Sequence, residues 1–374
     1  IDSGILEPDV KDIDIDRRAV ALAGGVSLDE LVRGGDRGAA MAAMRAGARA
    51  ILLRLAEEGR IDGALGVGGS SGTSVVAHAV TALPIGMPKL VVSTLASGDV
   101  SPFVGITDLI MMPSITDLAG LNSISTHVLS NAAAAMAGMI RASTVTAKRS
   151  SKAIGGSMFA NTMQALSNVT ALLQPLGVEV IPFHATRPGG ETMESLLKGG
   201  FLKGLLDLTT SGLASELLES PWASKPDRLT IARDLRVPTV VAPGALDMAV
   251  FGGVQTLPEH LAGRLRYAHN ADTTLVRTTA AENAILANRM AERLRGSEET
   301  CVVCIPLKGF SESGSSGGPF ESREADMAFV ETMRQNATVR LVEVNDSING
   351  PAFAEAVASE FTRLYGASLQ DSSA

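Results

Sequence analysis

The sequence has 374 residues, of which 45% are apolar and 19% charged, and its formal net charge is −8. This length and apolar content suit two domains, each with its own core. The acidic balance and the aromatic content of 3% argue against nucleic acid as a partner, because such a surface needs concentrated positive charge and stacking rings.

The first half of the chain alternates helical and strand patterns. Apolar residues at helical spacing predict a helix over residues 36–59, and further helices are predicted at 73–82 and 116–141. Short apolar runs predict strands at 63–67, 89–94 and 109–112. Such alternation is typical of parallel strands joined by helices.

Residues 142–152 are rich in Ser, Thr, Lys and Arg and lack a core pattern, so we place the domain boundary there. The predicted domains are residues 1–148 and 149–374. Because the chain starts at Ile1 and opens in irregular sequence, we expect that an N-terminal segment, including the first strand of the first sheet, has been removed or omitted.

The second half repeats the alternation. The predicted fold is therefore α/β, with two doubly wound domains in series and parallel sheets. Strands are predicted at 153–158, 178–183, 205–208, 239–242, 274–277, 301–307 and 339–344, and helices at 161–174, 280–295, 324–335 and 351–365.

A glycine-rich loop follows the strand predicted at 63–67 and enters the helix predicted at 73–82. Glycines let a backbone approach an anion closely, and a helix N-terminus attracts negative charge. The simpler alternative is a tight turn with a Ser or Thr cap. The candidate ligand-binding residues in this loop are Gly68, Gly69, Ser70, Ser71, Gly72 and Thr73.

Two familiar loop types are disfavoured here. The loop is not a Walker A motif, because no Lys precedes its Ser or Thr. The glycine spacing is similar to that of a dinucleotide-binding loop, but the next strand ends at Ser93-Thr94 without an acid for a ribose hydroxyl. A nicotinamide cofactor is therefore not expected.

After that next strand come Ser97, Gly98 and Asp99, which we predict to line the same pocket. Asp99 would accept from a ribose or orient a hydrated Mg²⁺. An Asp that caps a turn is the alternative interpretation.

Loops after the C-terminal strands carry four candidate catalytic residues: His184, Asp247, Glu282 and Lys308. His184 follows a strand and suits an acid, a base or a phosphate contact. Lys308 precedes a Ser/Gly segment that we expect to be flexible and to order over a ligand. The sequence shows no clustered His and Cys set typical of a catalytic metal, so no metal site is predicted.

The two cysteines, Cys301 and Cys304, lie three residues apart in a strand pattern. An odd offset points two side chains to opposite faces of a strand. We therefore interpret them as two buried thiols of a reduced cytoplasmic protein rather than a redox or zinc pair.

The least charged stretch, residues 118–140, is interrupted by polar side chains and falls short of a membrane span. Its Ala-rich second half, residues 132–140, predicts a closely packed internal or interface helix. With no signal peptide visible, we expect a cytoplasmic protein without a membrane partner.

An ordered set of motifs along almost the whole chain resembles the tomato mosaic virus resistance protein-like ATP-binding family, in its uncharacterised bacterial branch. The motifs include residues 68–73, 92–99 and 116–122 in the first half and 184–190, 207–210, 243–248, 277–283, 306–309 and 317–320 in the second.

The resemblance implies two Rossmann-like subdomains, binding of ATP or a related nucleotide by the first, and a homodimer. It also implies a TIM-barrel partner, which plants fuse to this region. The leading hypothesis is a regulatory nucleotide-binding protein with its ligand cleft between the two domains. The alternative is an enzyme acting on a phosphorylated or carboxylated metabolite through the C-terminal loops.

Overall fold

In a computed structural model the chain forms two compact units, Ile1–Lys148 and Arg149–Ala374. The structure describes residues 1–5, 12–142 and 151–371, with side chains through residue 366. Most of the boundary predicted at residues 142–152 lies outside the described residues.

The N-terminal unit contains a three-stranded parallel sheet in the order β1-β2-β3. Gly68 pairs in register with Ser93, so the loops that leave β1 and β2 emerge side by side. Its elements are α1 (Arg17–Ala23), α2 (Leu28–Gly34), α3 (Arg37–Glu57), β1 (Ala64–Gly68), α4 (Ser70–Val80), β2 (Lys89–Ser93), α5 (Ser101–Val104), β3 (Ile110–Pro113) and α6 (Ser123–Ala142).

The helix predicted over residues 36–59 is α3. Asp36 caps its start by accepting from the backbone N–H groups of Gly38 and Ala39. Its inward face buries Met44, Ile51 and Leu55 in a core shared with α1, α2 and α4.

The helix predicted over residues 116–141 is shorter than expected. It begins at Ser123, because the Asn122 side chain accepts from the N–H groups of Ile124 and Ser125 and so caps the helix there. Ala132 and Met136 pack beside Leu90 and Val92 of the sheet, whereas residues 133–135 are exposed.

The C-terminal unit is built on a six-stranded sheet in the order β12-β11-β7-β6-β4-β5, and every pairing in it is parallel. Its elements are β4 (Ala153–Met158), α7 (Met163–Leu173), β5 (Glu179–His184), α8 (Arg187–Lys198), β6 (Leu205–Thr209), α9 (Gly212–Leu217), α10 (Ile231–Leu235), β7 (Thr239–Gly244), β8 (Met248–Phe251), β9 (Arg266–Asn270), β10 (Thr273–Arg277), α11 (Ala280–Leu294), β11 (Cys301–Pro306), α12 (Arg323–Asn336), β12 (Arg340–Val344) and α13 (Pro351–Asp371).

The six-stranded sheet is covered on both faces, as a doubly wound fold requires. Cys301, Val303 and Ile305 of β11 pack in one core with α11 and α12, and Val302 and Cys304 pack in the opposite core with α7 and α13. The prediction that the two cysteines are buried thiols on opposite faces is confirmed.

The order of strands in this sheet reverses at β4. The chain leaves β4 to form β5 on one side and returns to form β6 on the other. The carboxyl ends of β4 and β6 therefore flank a topological switch point, where ligands bind in open α/β sheets.

The α/β class with parallel main sheets is confirmed. One predicted strand, however, belongs to an antiparallel sheet rather than a parallel one. Residues 274–277 were predicted to join a parallel sheet, yet β10 is the middle strand of an antiparallel sheet in the order β8-β10-β9. β9 is exposed along its length and lacks the apolar pattern of a core strand, so the sequence does not reveal this sheet.

Candidate functional site

The glycine loop joins β1 to α4 by a very short connection. Gly69 is the N-cap of α4 and supplies no side-chain hydrogen bond, so among the described residues no side chain caps the first-turn amides at Ser70, Ser71 and Gly72. A Cβ on Gly68 would lie 2.6 Å from the backbone nitrogen of Thr73. Glycine at this position is therefore what allows the helix to begin so close to the strand.

Thr73 has a structural role in this loop. Its hydroxyl is fully buried, donates to the carbonyl of Gly68 at 3.0 Å and lies 2.6 Å from the Ser93 hydroxyl. The ends of β1 and β2 are thereby tied to the start of α4. Of the predicted ligand contacts, Thr73 is occupied within the fold, while Ser70 is exposed.

Arg37, at the start of α3, reaches the loop and was missed by the sequence reasoning. Its Nη2 donates to the Ser71 hydroxyl at 2.7 Å. The contact joins residues 34 positions apart, and only tertiary structure brings them together. A guanidinium beside uncapped amides adds formal positive charge to an anion cradle.

A cavity of about 840 Å³ opens beside this loop, and we call it the β1 cavity. Its lining includes Arg37, Ser71 and Gly72 of this loop region, together with the acids Asp2 and Asp36. Its apolar residues include Leu31, Val32, Met41, Val67 and Val75.

Ser97, Gly98 and Asp99 are exposed in the loop after β2. Asp99 accepts from the N–H and the hydroxyl of Ser101, at 2.9 and 2.7 Å, and these hydrogen bonds lower the pKa of its carboxyl. Asp99 is thus an ionised turn cap, and none of the three lines the β1 cavity.

The candidate residues of the C-terminal unit lie in different surroundings. His184 ends β5, is exposed and lines a cavity of about 270 Å³ at the switch point, which we call the switch-point cavity. Lys308 follows β11 and lines a separate cavity of about 210 Å³ with Arg323 and Asp326.

Asp247 is fully buried between β7 and β8. Burial raises the pKa of its carboxyl to about 6, against the opposing influence of Arg277. Oδ2 accepts from the Ser311 hydroxyl at 2.6 Å, and Oδ1 has no hydrogen-bond partner among the described residues.

Glu282 belongs to the capping box that starts α11. Its carboxylate accepts from the Thr279 N–H at 2.7 Å and from both terminal nitrogens of Arg264. Burial alone would raise the pKa of Glu282, but these hydrogen bonds hold it below its usual value. The carboxylate is therefore occupied in stabilising a helix end.

The Ser/Gly segment after Lys308, predicted to be flexible, is instead held by hydrogen bonds. Ser311 donates to Asp247, Ser313 to Asn161, and the Phe320 N–H to the Ser313 carbonyl. A Cβ on Gly314 would lie 2.0 Å from Asp247 Oδ2, so glycine allows the loop to pass over that carboxylate.

A buried charge cluster lies beneath the switch point and was also missed. Arg228 makes two contacts to the Asp207 carboxylate, at 2.6 and 2.7 Å, and one to Glu194 at 3.2 Å. Burial raises the pKa of Glu194, while Arg228 opposes that rise. Asp207 also accepts from Ser157 at 2.6 Å, so the cluster joins β4, β6 and α8.

The described part of the chain gives little support for a reactive thiol, a metal site or a membrane span. Burial raises the pKa of both cysteine thiols to about 12, so neither is a thiolate near neutral pH. Within the described ranges, no group of three or more His, Cys, Asp or Glu side chains could hold a metal ion, and no helix could span a membrane.

Comparisons with known proteins agree along most of the chain. Residues 1–145 match the model of the uncharacterised protein family UPF0261 N-terminal domain, and residues 151–365 match that of its C-terminal domain. A UPF0261 protein of Clostridium tetani is 40% identical over 97% of this chain and 91% of its own length. A UPF0261 protein of Mesorhizobium japonicum is 40% identical over 88% of this chain and 83% of its own length.

A plant relative extends the comparison. The ToMV resistance protein Tm-1(GCR237) of Solanum lycopersicum is 35% identical over 88% of this chain, and the match covers 45% of the tomato protein. With both domain models matched and bacterial relatives aligned over most of their length, the chain belongs to the UPF0261 family.

Proposed function

We propose that the N-terminal unit binds a nucleotide, ATP or a close relative, with its phosphates at the glycine loop. The supporting observation is the cradle formed by the uncapped amides of Ser70, Ser71 and Gly72 beside the Arg37 guanidinium. Backbone donors at a helix N-terminus bind phosphate well, and a nearby arginine strengthens such binding.

The β1 cavity supports a nucleotide over a free phosphate. Arg37, Ser71 and Gly72 of the cradle line it, and its apolar residues, among them Leu31, Val67 and Val75, suit a base and sugar. Asp99 accepts from Ser101 and does not line this cavity, so we assign it no role toward a Mg²⁺ that would accompany the phosphates.

Binding, rather than turnover, is the role we propose, with the nucleotide regulating partner contacts. The enzyme hypothesis needs His184, Asp247, Lys308 and Glu282 to converge. His184 and Lys308 line separate cavities, and Asp247 and Glu282 are engaged inside the fold. Catalytic groups need near hydrogen-bond reach of the same reacting atoms, and this arrangement favours binding.

Isothermal titration calorimetry on the full chain tests the proposal. ATP, ADP and AMP are titrated separately at millimolar concentration, each with Mg²⁺ and with EDTA. We expect saturable binding of ATP, weakened at least about 10-fold by Arg37→Gln because a charge-assisted phosphate contact is lost. Arg33→Gln is the matched control, since Arg33 lies on α2 and donates to the Asp29 carbonyl.

Two outcomes would refute nucleotide binding at this loop. One is the absence of binding heat for all three nucleotides. The other is equal ATP affinity in Arg37→Gln and Arg33→Gln.

We further propose that the chain is a cytoplasmic homodimer and that it works with a TIM-barrel partner. The dimer is supported by α6, whose residues 133–135 are exposed alanines on a helix with few charged side chains. The partner is supported by the tomato relative, in which the matched segment is less than half of the protein.

A further inference from the structure

The switch-point cavity in the C-terminal unit plays no part in the proposed nucleotide site. Residues that follow the carboxyl ends of β4, β5 and β6 line it, and residues of β8, β9 and β10 line it as well. Its volume of about 270 Å³ is of the order of a small-metabolite site. It therefore stands where doubly wound sheets hold their ligands, with part of the antiparallel sheet as a wall.

The lining combines apolar side chains with two imidazoles and neutral polar groups. Phe159, Trp222 and Leu275 supply apolar surface, and His184 and His269 supply two imidazoles. Among the described residues that line this cavity, none is Asp or Glu. The cavity is therefore compatible with negative charge on a ligand.

Asn161 places a free donor at this cavity. Its Oδ1 accepts from the backbone N–H of Ser313 at 3.3 Å and from the Ser313 hydroxyl at 2.7 Å. A backbone N–H only donates, so the atom it meets must be the amide oxygen, and Nδ2 is left as the free donor. Asn161 is 7% exposed, and within the described residues its Nδ2 has no hydrogen-bond partner.

Ser211, on the loop after β6, is a second nearly buried polar side chain without a hydrogen-bond partner among the described residues. It is 3% exposed and lines the cavity, and its hydroxyl makes no hydrogen bond with the part of the chain that the structure describes. Both side chains are more than nine-tenths buried and line the same cavity, so the polar atom that each leaves free is available to a polar ligand there.

The N-terminus of α8 adds an electrostatic field that favours an anion at this cavity. Thr186 is the N-cap of this 12-residue helix and lines the cavity next to His184. The positive end of the helix dipole therefore lies at the rim, where it stabilises an anion.

We propose that the switch-point cavity is a second binding site, for a small organic anion that carries its carboxylate or phosphate on a planar apolar body. His184, Asn161 and Ser211 bind the charged group, and Phe159 and Trp222 contact the apolar body. This site lies wholly within the C-terminal unit and is independent of the glycine loop.

The chain contains a single tryptophan, Trp222, so tryptophan fluorescence reports on this cavity without a signal from any other tryptophan. We would titrate the full chain with benzoate and with phenyl phosphate, and use benzyl alcohol as the neutral probe of similar shape. A saturable change with either anion, at concentrations at least 10-fold below any response to benzyl alcohol, is expected. The stronger of the two anions identifies the preferred charged group. Equal responses to the anions and the alcohol, or none, would overturn the proposal.

Two matched variant pairs locate the binding. Asn161→Asp keeps the oxygen that accepts from Ser313 and replaces the free donor with negative charge. We expect at least 10-fold weaker anion binding, whereas Asn288→Asp, which adds the same charge on the exposed side of α11, leaves it unchanged. The double variant His184→Ala/His269→Ala removes two exposed side chains without cutting the core, and His260→Ala is its control.

Unchanged anion affinity in the double variant would refute the assigned site even if Asn161→Asp failed to fold. Arg37→Gln separates the two proposals, since it weakens ATP binding in calorimetry but leaves the Trp222 response intact. Loss of the Trp222 response in Arg37→Gln would contradict the independence of the two sites.

Discussion

At the scale of single residues, Asp247 is a buried acid whose charge is poorly compensated. One oxygen accepts from Ser311, the other has no partner among the described residues, and Asp326 adds a second nearby carboxylate. Arg277 offsets part of the free-energy cost of a buried charge on Asp247. Its guanidinium, however, is also ion-paired with Asp326 at 2.7 Å. Ionising Asp247 in the folded protein is therefore unfavourable.

This burial predicts a pH dependence of stability. The folded-state pKa of about 6 lies above the ordinary value of 3.8, so the folded protein holds the proton more tightly than the unfolded chain. Stability from this group is present below about pH 4 and is lost as the pH rises through 6, by on the order of 3 kcal/mol.

Guanidinium unfolding of the wild type and of Asp247→Asn between about pH 4 and pH 7 measures the effect. We expect the free energy of unfolding of the wild type to fall relative to that of the variant across this range. Parallel pH profiles for the two proteins would show that Asp247 does not titrate as described.

Residue types alone marked some site residues and missed others. Gly68 and His184 end strands and Gly69 follows one, and this position in the sequence is enough to bring them to a sheet edge. Arg37 and Arg228 gave no such signal, because their contacts lie 34 and 21 residues away. Conversely, Glu282 and Thr73 have reactive or polar groups that the fold uses in a cap and a strand junction.

At the scale of elements, a substitution at the start of α4 can change the stability of the helix and the affinity for ATP in different directions. Gly69 has extended backbone angles, φ −70° and ψ −164°, and its Cβ position is open except for Thr94 at 4.0 Å. These are the conditions under which Asp or Asn serves as an N-cap.

We predict that Gly69→Asp keeps or raises stability by a few tenths of a kcal/mol, because it caps α4. The same carboxylate would repel phosphate, so ATP binding should fall at least about 10-fold. Gly69→Asn gives the same cap without charge. The difference in ATP affinity between the two variants therefore measures the electrostatic repulsion of phosphate by the Asp carboxylate. Thermal unfolding and calorimetry provide the two readouts, and equal ATP affinities in the two variants would contradict a phosphate at this position.

Most main-sheet strands were predictable because parallel strands buried on both faces appear as short apolar runs. The antiparallel sheet was not, since β9 is exposed and offers no apolar run for recognition. Helix ends depended on single caps: the Asn122 side chain moved the start of α6 to Ser123, well inside the predicted helix.

At the scale of the whole molecule, the exposed face of α6 predicts self-association. Ala134 is exposed in the middle of this helix, and small side chains permit close helix contact between two copies. Sedimentation velocity should show a dimer for the wild type and a shift toward monomer for Ala134→Glu.

The control for this experiment is Ala50→Glu, an exposed alanine of α3 outside the proposed interface. A monomeric wild type, or an identical response of the two variants, would refute dimerisation through α6.

The hydrogen bonds of Asn161 have a consequence for the order in which the chain folds. This residue accepts from Ser313, 152 positions away, and from Asn349, 188 positions away. Contacts of such separation form late, because loop closure over long distances is entropically costly. During synthesis the contacts that hold Asn161 cannot all form until residue 349 has left the ribosome. Nascent chains stopped before that point should therefore contain every residue that lines the switch-point cavity but lack a contact that fixes one of them.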